Sequence, residues 1–229
     1  MAWKEQLVLA FLTWILEGTK GQDAQVTCVF SGRCILPCKM KPHVGDEVIH
    51  WYHTKNTDSP VHSYYQGKDQ LAYQDKKYKG RTSLFPDQIR LGNESLLLSD
   101  VKIQDEGRYK CYTSNKEGND ETFVNLKVKA PVQSVNITVA ADTLTCSSEG
   151  IYPAPVLVWS TVPPSDLQQE KEPEKQTNDQ GLFSVTSTVH KSPNNTFICS
   201  VTAGDSTHTA SLRQQSEQQF ELFHIKPQS

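Results

Sequence analysis

The sequence predicts an all-β protein made of two tandem sandwiches of strands, and two observations support this prediction. Short segments rich in β-branched and aromatic residues alternate with turn residues, and no segment keeps a helical period. A Cys–Trp–Cys pattern with equal Cys-to-Trp spacing occurs twice, as Cys38, Trp51 and Cys111 and as Cys146, Trp159 and Cys199. This pattern is typical of immunoglobulin-like domains, in which the disulfide joins two sheets and the tryptophan packs against it.

The spacing between the paired cysteines distinguishes the two domains. Cys38 and Cys111 lie 73 residues apart, which leaves room for the two extra strands of a variable-type domain. Cys146 and Cys199 lie 53 residues apart, which suits a constant-type domain. We therefore expect a variable-type domain over residues 22–129, a constant-type domain over 130–215 and a polar tail over 216–229.

Eight segments are predicted to be strands from their β-rich composition and flanking turn residues: 48–54, 95–101, 108–114, 123–129, 143–148, 156–160, 182–190 and 197–202. Tyr109 precedes Cys111 by two residues, the position of a tyrosine corner, where the phenol hydroxyl bonds nearby backbone. The second domain has Phe197 at that position, so its corner lacks the hydroxyl and should be weaker.

The N-terminal residues predict export from the cell. Lys4 precedes an apolar run over residues 7–16, and small and polar residues follow, so we expect a signal peptide over residues 1–21. A membrane anchor is the alternative, but the run is about half of the roughly 20 residues that span a bilayer. No second apolar run occurs, so we expect either a secreted chain or the external part of a truncated membrane protein.

Six cysteines in an exported chain indicate disulfides, and two of them are outside the repeat. Strand parity places Cys28 on one face with Val26 and Phe30, and Cys34 on one face with Cys38. We expect a Cys28–Cys34 disulfide that connects the first two strands. Another pairing, an intermolecular bond or a metal site are the alternatives that the sequence leaves open.

Several stretches carry a more specific resemblance: ILPC, VIHWYH, GRTSLF and DEGRYKCY in the first domain, and GIYPAPVLVWS in the second. Together they resemble the B7/butyrophilin group of T-cell co-regulatory ligands. The resemblance implies an extracellular co-signalling ligand whose partner is an immunoglobulin-type receptor on T or NK lymphocytes. A soluble decoy and an adhesion protein without a signalling role are the alternative functions.

In that family the usual contact surface is the front sheet of the first domain, and parity predicts which residues face outward. Since Trp51 and Cys111 point inward, their strand neighbours should point to solvent. The VHSYYQ segment should lie beside them and expose further side chains. The predicted receptor contacts are His50, Tyr52, His62, Tyr64, Tyr65, Lys110 and Tyr112. Alternatively, the tyrosines only cover the sheet or line a weak homodimer.

Two further groups of residues have expected roles outside receptor contact. Arg81 and Asp105 resemble the ion pair that closes one end of a variable-type domain. Three Asn-X-Ser/Thr sequons, at Asn93, Asn136 and Asn194, are glycosylation candidates.

Composition and motifs argue against other classes of protein. The net charge of −3 provides no basic field for nucleic acid. The chain contains no nucleophile elbow, zinc-protease motif or phosphate-binding glycine loop, so we expect no enzyme, small-molecule substrate, cofactor or metal. His50 and His53 lie three apart on a predicted strand, and therefore on opposite faces, so they should not share an ion.

Overall fold

A computed structural model describes residues 23–42, 47–169, 171–192, 195–215 and 219–225, with side chains described as far as Arg213. The expected signal peptide over 1–21 and the sequon residue Asn194 lie outside the described residues. Among the described residues, no helix has the length and apolar character needed to cross a bilayer.

The first domain is a sandwich of a six-stranded and a three-stranded sheet. Its elements are β1 (Ala24–Val29), β2 (Cys34–Leu36), β3 (Val48–His53), β4 (His62–Tyr65), β5 (Lys68–Asp69), a 3₁₀ turn (Lys76–Tyr78), β6 (Thr82–Ser83), α1 (Pro86–Ile89), β7 (Leu96–Leu98), a second 3₁₀ turn (Ile103–Asp105), β8 (Gly107–Asn115) and β9 (Gly118–Lys129). The front sheet has the order β1-β9-β8-β3-β4-β5, and the back sheet has the order β2-β7-β6. β4 and β5 are the two extra strands of a variable-type domain.

The second domain packs two four-stranded sheets. Its strands are β10 (Asn136–Val139), β11 (Thr143–Ile151), β12 (Val156–Val162), β13 (Glu174–Thr177), β14 (Phe183–His190), β15 (Thr196–Ala203), β16 (Ser206–Gln215) and β17 (Gln219–Ile225). The orders are β10-β11-β14-β13 and β12-β15-β16-β17. The first seven strands reproduce the constant-type arrangement, and β17, in the segment expected to be a polar tail, adds an eighth. The all-β prediction of a variable-type domain followed by a constant-type domain is confirmed.

Each sandwich is held together by a disulfide inside an apolar core. Cys38–Cys111 and Cys146–Cys199 join the sheets of the two domains, and Cys28–Cys34 connects β1 to β2, as the sequence predicted. Trp51 is fully buried, and its indole N–H donates to the carbonyl of Glu94 at 3.1 Å. Trp159 is only partly buried beside the second core, and its Nε1 has no partner among the described residues.

The predicted ion pair and tyrosine corner lie together at one end of the first domain. Arg81 donates from both terminal nitrogens to Asp105, with N···O distances of 2.8 and 2.9 Å, and both side chains are buried. The hydroxyl of Tyr109 donates to the Asp105 carbonyl at 2.7 Å and lies 2.9 Å from the hydroxyl of Tyr78. Burial, followed by the Tyr78 hydroxyl, raises the pKa of Tyr109 far above its usual range, so this phenol stays protonated.

The two domains meet at a joint around Glu106. The Glu106 carboxylate accepts the backbone N–H of Val128 at 2.8 Å and the hydroxyl of Tyr152 at 2.7 Å. Tyr152 and Ala130 also exchange two backbone hydrogen bonds of 2.9 Å. A side chain of the first domain therefore holds a residue of the second domain against the connecting strand.

Candidate functional site

The outer face of the front sheet is defined by the register of its central strands. β3 pairs antiparallel with β8, which places His50 opposite Tyr112 and Tyr52 opposite Lys110. Directly opposed residues point to the same side of a sheet. Since Trp51 opposite Cys111 faces the core, these four side chains face outward, as parity predicted.

Four rings form a cluster on this face, which we call the aromatic patch: His50, Tyr52, Tyr65 and Tyr112. The His50 ring is central, with its centroid 5.9 Å from that of Tyr52, 6.1 Å from that of Tyr65 and 6.4 Å from that of Tyr112. All four residues are half-buried, because the rings cover one another and the sheet. Such mutual packing leaves a relatively rigid surface that combines apolar ring faces with phenol hydroxyls.

The His50 ring is held in place by a hydrogen bond to β4 as well as by the neighbouring rings of the patch. Its Nδ1 lies 2.8 Å from the Oγ of Ser63, the residue opposite it on β4. Partial burial lowers the pKa of His50 below its ordinary value, so the ring is predominantly neutral at neutral pH. The aromatic patch therefore presents polar groups with no fixed charge at its centre.

Lys110 borders the aromatic patch but its charge is already paired. Its Nζ lies 3.0 Å from the Oε1 of Glu121 on β9 and 5.7 Å from the centroid of the Tyr52 ring. Next to it, the Arg108 guanidinium stacks 3.8 Å from the Phe123 centroid and binds Asp23. Both cations at the border of the patch are therefore paired with an acidic side chain, so the border does not present a field of one sign.

The expectation that His62 and Tyr64 are exposed is wrong. β4 pairs with β3 so that His62 lies opposite Trp51, and Tyr64 lies opposite Ile49, the two core-facing residues of β3. His62 is 0% exposed and Tyr64 is 8% exposed. His62 instead bonds Thr82 Oγ1 at 2.9 Å and Asp69 Oδ1 at 3.0 Å, and so ties β4 to β5 and β6. Of the two tyrosines in VHSYYQ, Tyr65 is the one that faces outward with the patch.

Sequence reasoning missed the residues that support and border the patch. These are Ser63 below His50, Glu121 beside Lys110, and the Arg108–Phe123 stack. Once the β3–β4 register is known, Ser63 follows as the outward residue between His62 and Tyr64. No motif signals Glu121 or Phe123, because their positions depend on the pairing of β8 with β9.

The second histidine of β3 faces the opposite way from His50, as parity predicted. His53 is buried, and its ring packs edge-on against Tyr109 with centroids 5.0 Å apart. Its Nε2 is also 3.3 Å from the carbonyl of Glu106. His53 therefore belongs to the corner and core rather than to the outer face.

Two of the three sequons can be located. Asn93 is half-buried before β7, where it forms a bridge with Lys39, and Asn136 is exposed at the start of β10. Neither lies on the outer face of the front sheet. Glycans at these two places would leave the aromatic patch accessible, and their attachment stays a prediction.

Comparison with known proteins agrees with this architecture. Residues 14–129 match the model of the immunoglobulin V-set domain, and residues 132–208 match the butyrophilin subfamily 3 member A2-like Ig-C domain. The human V-set domain-containing T-cell activation inhibitor 1 is 35% identical over 56% of this chain and 46% of its own length. The human HERV-H LTR-associating protein 2 is 35% identical over 73% of this chain and 40% of its own length. The chain thus spans less than half of either relative.

A solved structure extends the similarity to the whole two-domain fold. The crystal structure of bovine butyrophilin superposes with a TM-score of 0.65, covering 91% of this chain and 97% of that chain at 23% identity. At that identity the likeness concerns the fold alone. The sequence matches and the sheet orders together identify the family: the chain belongs to the immunoglobulin V-set family and is a B7/butyrophilin-like member of the immunoglobulin superfamily.

Proposed function

We propose that this protein is an extracellular co-signalling ligand that binds an immunoglobulin-type receptor on T or NK lymphocytes and regulates their activation. The contact surface is the aromatic patch of the first domain, with Lys110 at its border. The proposal is a binding role rather than catalysis, because both matched domains are immunoglobulin domains.

The aromatic patch is the observation that supports this proposal most strongly. Tyrosine gives a large, stiff contact area with a polar tip, and aromatic residues are enriched in protein interfaces. Here three tyrosines surround one neutral imidazole on a single sheet face. The name of one relative, a T-cell activation inhibitor, supports a partner on lymphocytes.

The test is binding of the secreted chain, displayed as a tetramer, to living lymphocytes sorted into T and NK subsets. Tetramers are needed because avidity can raise apparent affinity by about a hundredfold or more. The double variant Tyr52→Ala/Tyr112→Ala should lower the affinity by more than about a hundredfold, since truncating a tyrosine that is a hot spot at the centre of an interface costs about 2 kcal/mol or more.

The control variant is Ile35→Ala, which removes an exposed apolar side chain from β2 on the opposite sheet. It should bind as the wild-type chain does, and the melting temperature of both variants should stay within a few degrees. Undiminished binding by the double variant would remove the patch from the proposal. Failure of the folded wild-type tetramer to bind any subset would remove lymphocytes as the target.

The same material separates the two alternative functions. A soluble decoy would bind the receptor without changing the activation of the bound cell, so the cytokine response of those cells is measured in parallel. An adhesion protein that binds itself through the patch would self-associate in solution, and the tyrosine double variant would abolish that association.

A further inference from the structure

The second domain carries an edge strand without the usual protection. β12 pairs with β15 on one side, and no other described strand pairs with its opposite side. A strand edge presents unpaired N–H and C=O groups to which another strand can bind. The seven residues of β12, VLVWSTV, are about 24 Å long and contain no charged residue, proline or glycine.

Each other edge strand in the described sheets either carries a charge or is shorter than β12; β1, for example, has six uncharged residues. β5 at the end of the front sheet consists of Lys68 and Asp69, and β13 contains Glu174 and Lys175. Charged side chains of this kind discourage pairing between edges. β10 has no charge but begins with the glycosylation candidate Asn136. The contrast within one domain singles out β12.

The outward face of β12 is apolar and open to solvent. Val156, Val158 and Val162 are 56%, 55% and 57% exposed, and they alternate with the inward-facing Leu157 and Trp159. These three exposed valines make an apolar stripe along the free edge that the exposed Ser160 interrupts once, between Val158 and Val162. Such stripes on soluble proteins mark interaction surfaces.

The inward side of the same edge opens into a cleft of about 350 Å³ between the sheets. Its apolar lining includes Trp159, Leu167 and Val189. The indole Nε1 of Trp159 is inaccessible to solvent and has no acceptor among the described residues, whereas the matching indole of Trp51 has one. The edge therefore lacks both a neighbouring strand and part of its inner packing.

We propose that a second copy of this chain occupies this edge, so that two β12 strands pair antiparallel across a two-fold axis. In this dimer the two four-stranded sheets form one continuous sheet, and the valine stripes of both copies lie side by side. The inward-facing side chains of each β12 strand also extend the apolar lining of the partner's cleft.

Charge complementarity favours a second copy over a foreign peptide. Self-pairing places an uncharged strand against an uncharged strand, so it brings no like charges together and leaves no charge without a counter-ion. The rim of the cleft carries one acid and one base, Glu172 and Lys175, so the rims of two copies bring no excess of one charge sign together.

The size of the edge indicates a weak dimer. Stable protein interfaces bury about 1,200 Å² or more, and one seven-residue strand edge with three valines offers less than that. We therefore expect reversible association at micromolar or higher concentration. The front sheet of each first domain stays free in this arrangement, so the dimer displays two aromatic patches.

The test is sedimentation of the secreted, glycosylated chain over a wide concentration range. The wild-type chain should show a monomer–dimer equilibrium, and Val158→Lys should raise the dimer dissociation constant at least about tenfold, because it places a charge in the paired edge. Val139→Lys, at an exposed valine of β10 in the same domain, is the matched control and should dimerise as the wild type does.

Hydrogen exchange gives a second measurement that does not depend on a substitution. Amides of Val156–Val162 should exchange more slowly as the protein concentration rises, while those of Asn136–Val139 should not change. A wild-type chain that stays monomeric would overturn the proposal, as would equal dimerisation of Val158→Lys. Loss of the dimer in Tyr52→Ala/Tyr112→Ala would overturn it too, since self-association would then use the patch.

Discussion

Arg81 is the residue whose loss should destabilise the first domain most, because it supports a buried carboxylate. Besides both oxygens of Asp105, its guanidinium binds the carbonyls of Lys77 and Asp100. Burial lowers the pKa of Arg81, but the hydrogen bonds and charge of Asp105 outweigh it and raise the value, so the guanidinium stays charged.

Arg81→Met should therefore lower the free energy of unfolding by about 3–5 kcal/mol, since it leaves the Asp105 charge buried and unpaired. Chemical denaturation monitored by tryptophan fluorescence, to which Trp51 contributes from the core of the first domain, measures this change. The control is Arg108→Met, which breaks an exposed pair with Asp23 and should shift the midpoint little. Equal effects of the two substitutions would contradict a structural role for Arg81.

His50 should make stability depend on pH in a defined direction. Burial lowers its pKa in the folded state, so the unfolded chain binds the proton more readily than the folded chain. The stability due to neutral His50 is complete above the ordinary pKa of about 6.5 and is lost as pH falls through the lowered value.

The melting temperature of His50→Gln should therefore fall less between pH 7.5 and pH 5.0 than that of the wild-type chain, because glutamine keeps a polar partner for Ser63 but does not titrate. Part of the dependence should remain, because burial also lowers the pKa of His53. Identical pH profiles for variant and wild type would show that His50 titrates in the same way in the folded and unfolded chain.

At the scale of strands, the small disulfide between β1 and β2 should matter less than the disulfide between sheets. Cys28 and Cys34 are 6 residues apart in sequence, and Cys38 and Cys111 are 73 apart. By the chain-entropy model, closing these loops stabilises the fold by about 2 and about 4 kcal/mol, respectively.

The variant Cys28→Ala/Cys34→Ala should therefore be secreted in a folded form, with its free energy of unfolding lower by about 2 kcal/mol. Cys38→Ala/Cys111→Ala should lose about 4 kcal/mol and secrete poorly. Urea denaturation and secretion yield measure the two effects. Equal damage from both double variants would mean that the β1–β2 connection supports the core in ways that loop length does not describe.

Which face of a strand points to the core could be predicted where the strand contains a residue that must be buried, and could not be predicted elsewhere. Trp51 and Cys111 must face the core, so parity correctly placed His50 and Tyr112 outside. β4 has no residue of this kind, and its register with β3 depends on how the connecting residues 54–61 fold. A shift of one residue exchanges the two faces of a strand, so parity alone cannot assign the faces of His62 and Tyr64 without this register.

Pairings between distant segments were likewise beyond prediction. The parallel pairing of β1 with β9 and the addition of β17 to β16 depend on which free edges meet in three dimensions. Cysteine spacing predicted the order of the two domain types, because the number of strands between the cysteines sets that length. The partial burial of Trp159 has no sequence signal, since its motif is the same as that of Trp51.

At the scale of the whole molecule, Tyr152 should control the angle between the domains. Its hydroxyl donates to Glu106, and this hydrogen bond, followed by burial, raises the pKa of Tyr152 to about 12, so the donor is present throughout the physiological range. The Tyr152 ring also lies 6.4 Å from that of Phe183, and this packing remains when only the hydroxyl is removed.

Tyr152→Phe should widen the distribution of interdomain angles while changing the unfolding free energy by only about 1 kcal/mol. Small-angle scattering and residual dipolar couplings of the two domains measure that distribution. Tyr112→Phe, which removes a hydroxyl far from the joint, should leave it unchanged. An unaltered distribution in Tyr152→Phe would mean that the backbone bonds between Ala130 and Tyr152 suffice to fix the angle.

The pairing of Lys110 with Glu121 has a consequence for how quickly a partner could bind the front sheet. With its border charges neutralised and a neutral imidazole at its centre, this face exerts little long-range attraction or repulsion on an approaching protein. Association would then proceed at the unsteered rate of about 10⁵–10⁶ M⁻¹s⁻¹ and change little with ionic strength. Discrimination between partners would therefore depend on how long each complex lasts rather than on how often it forms.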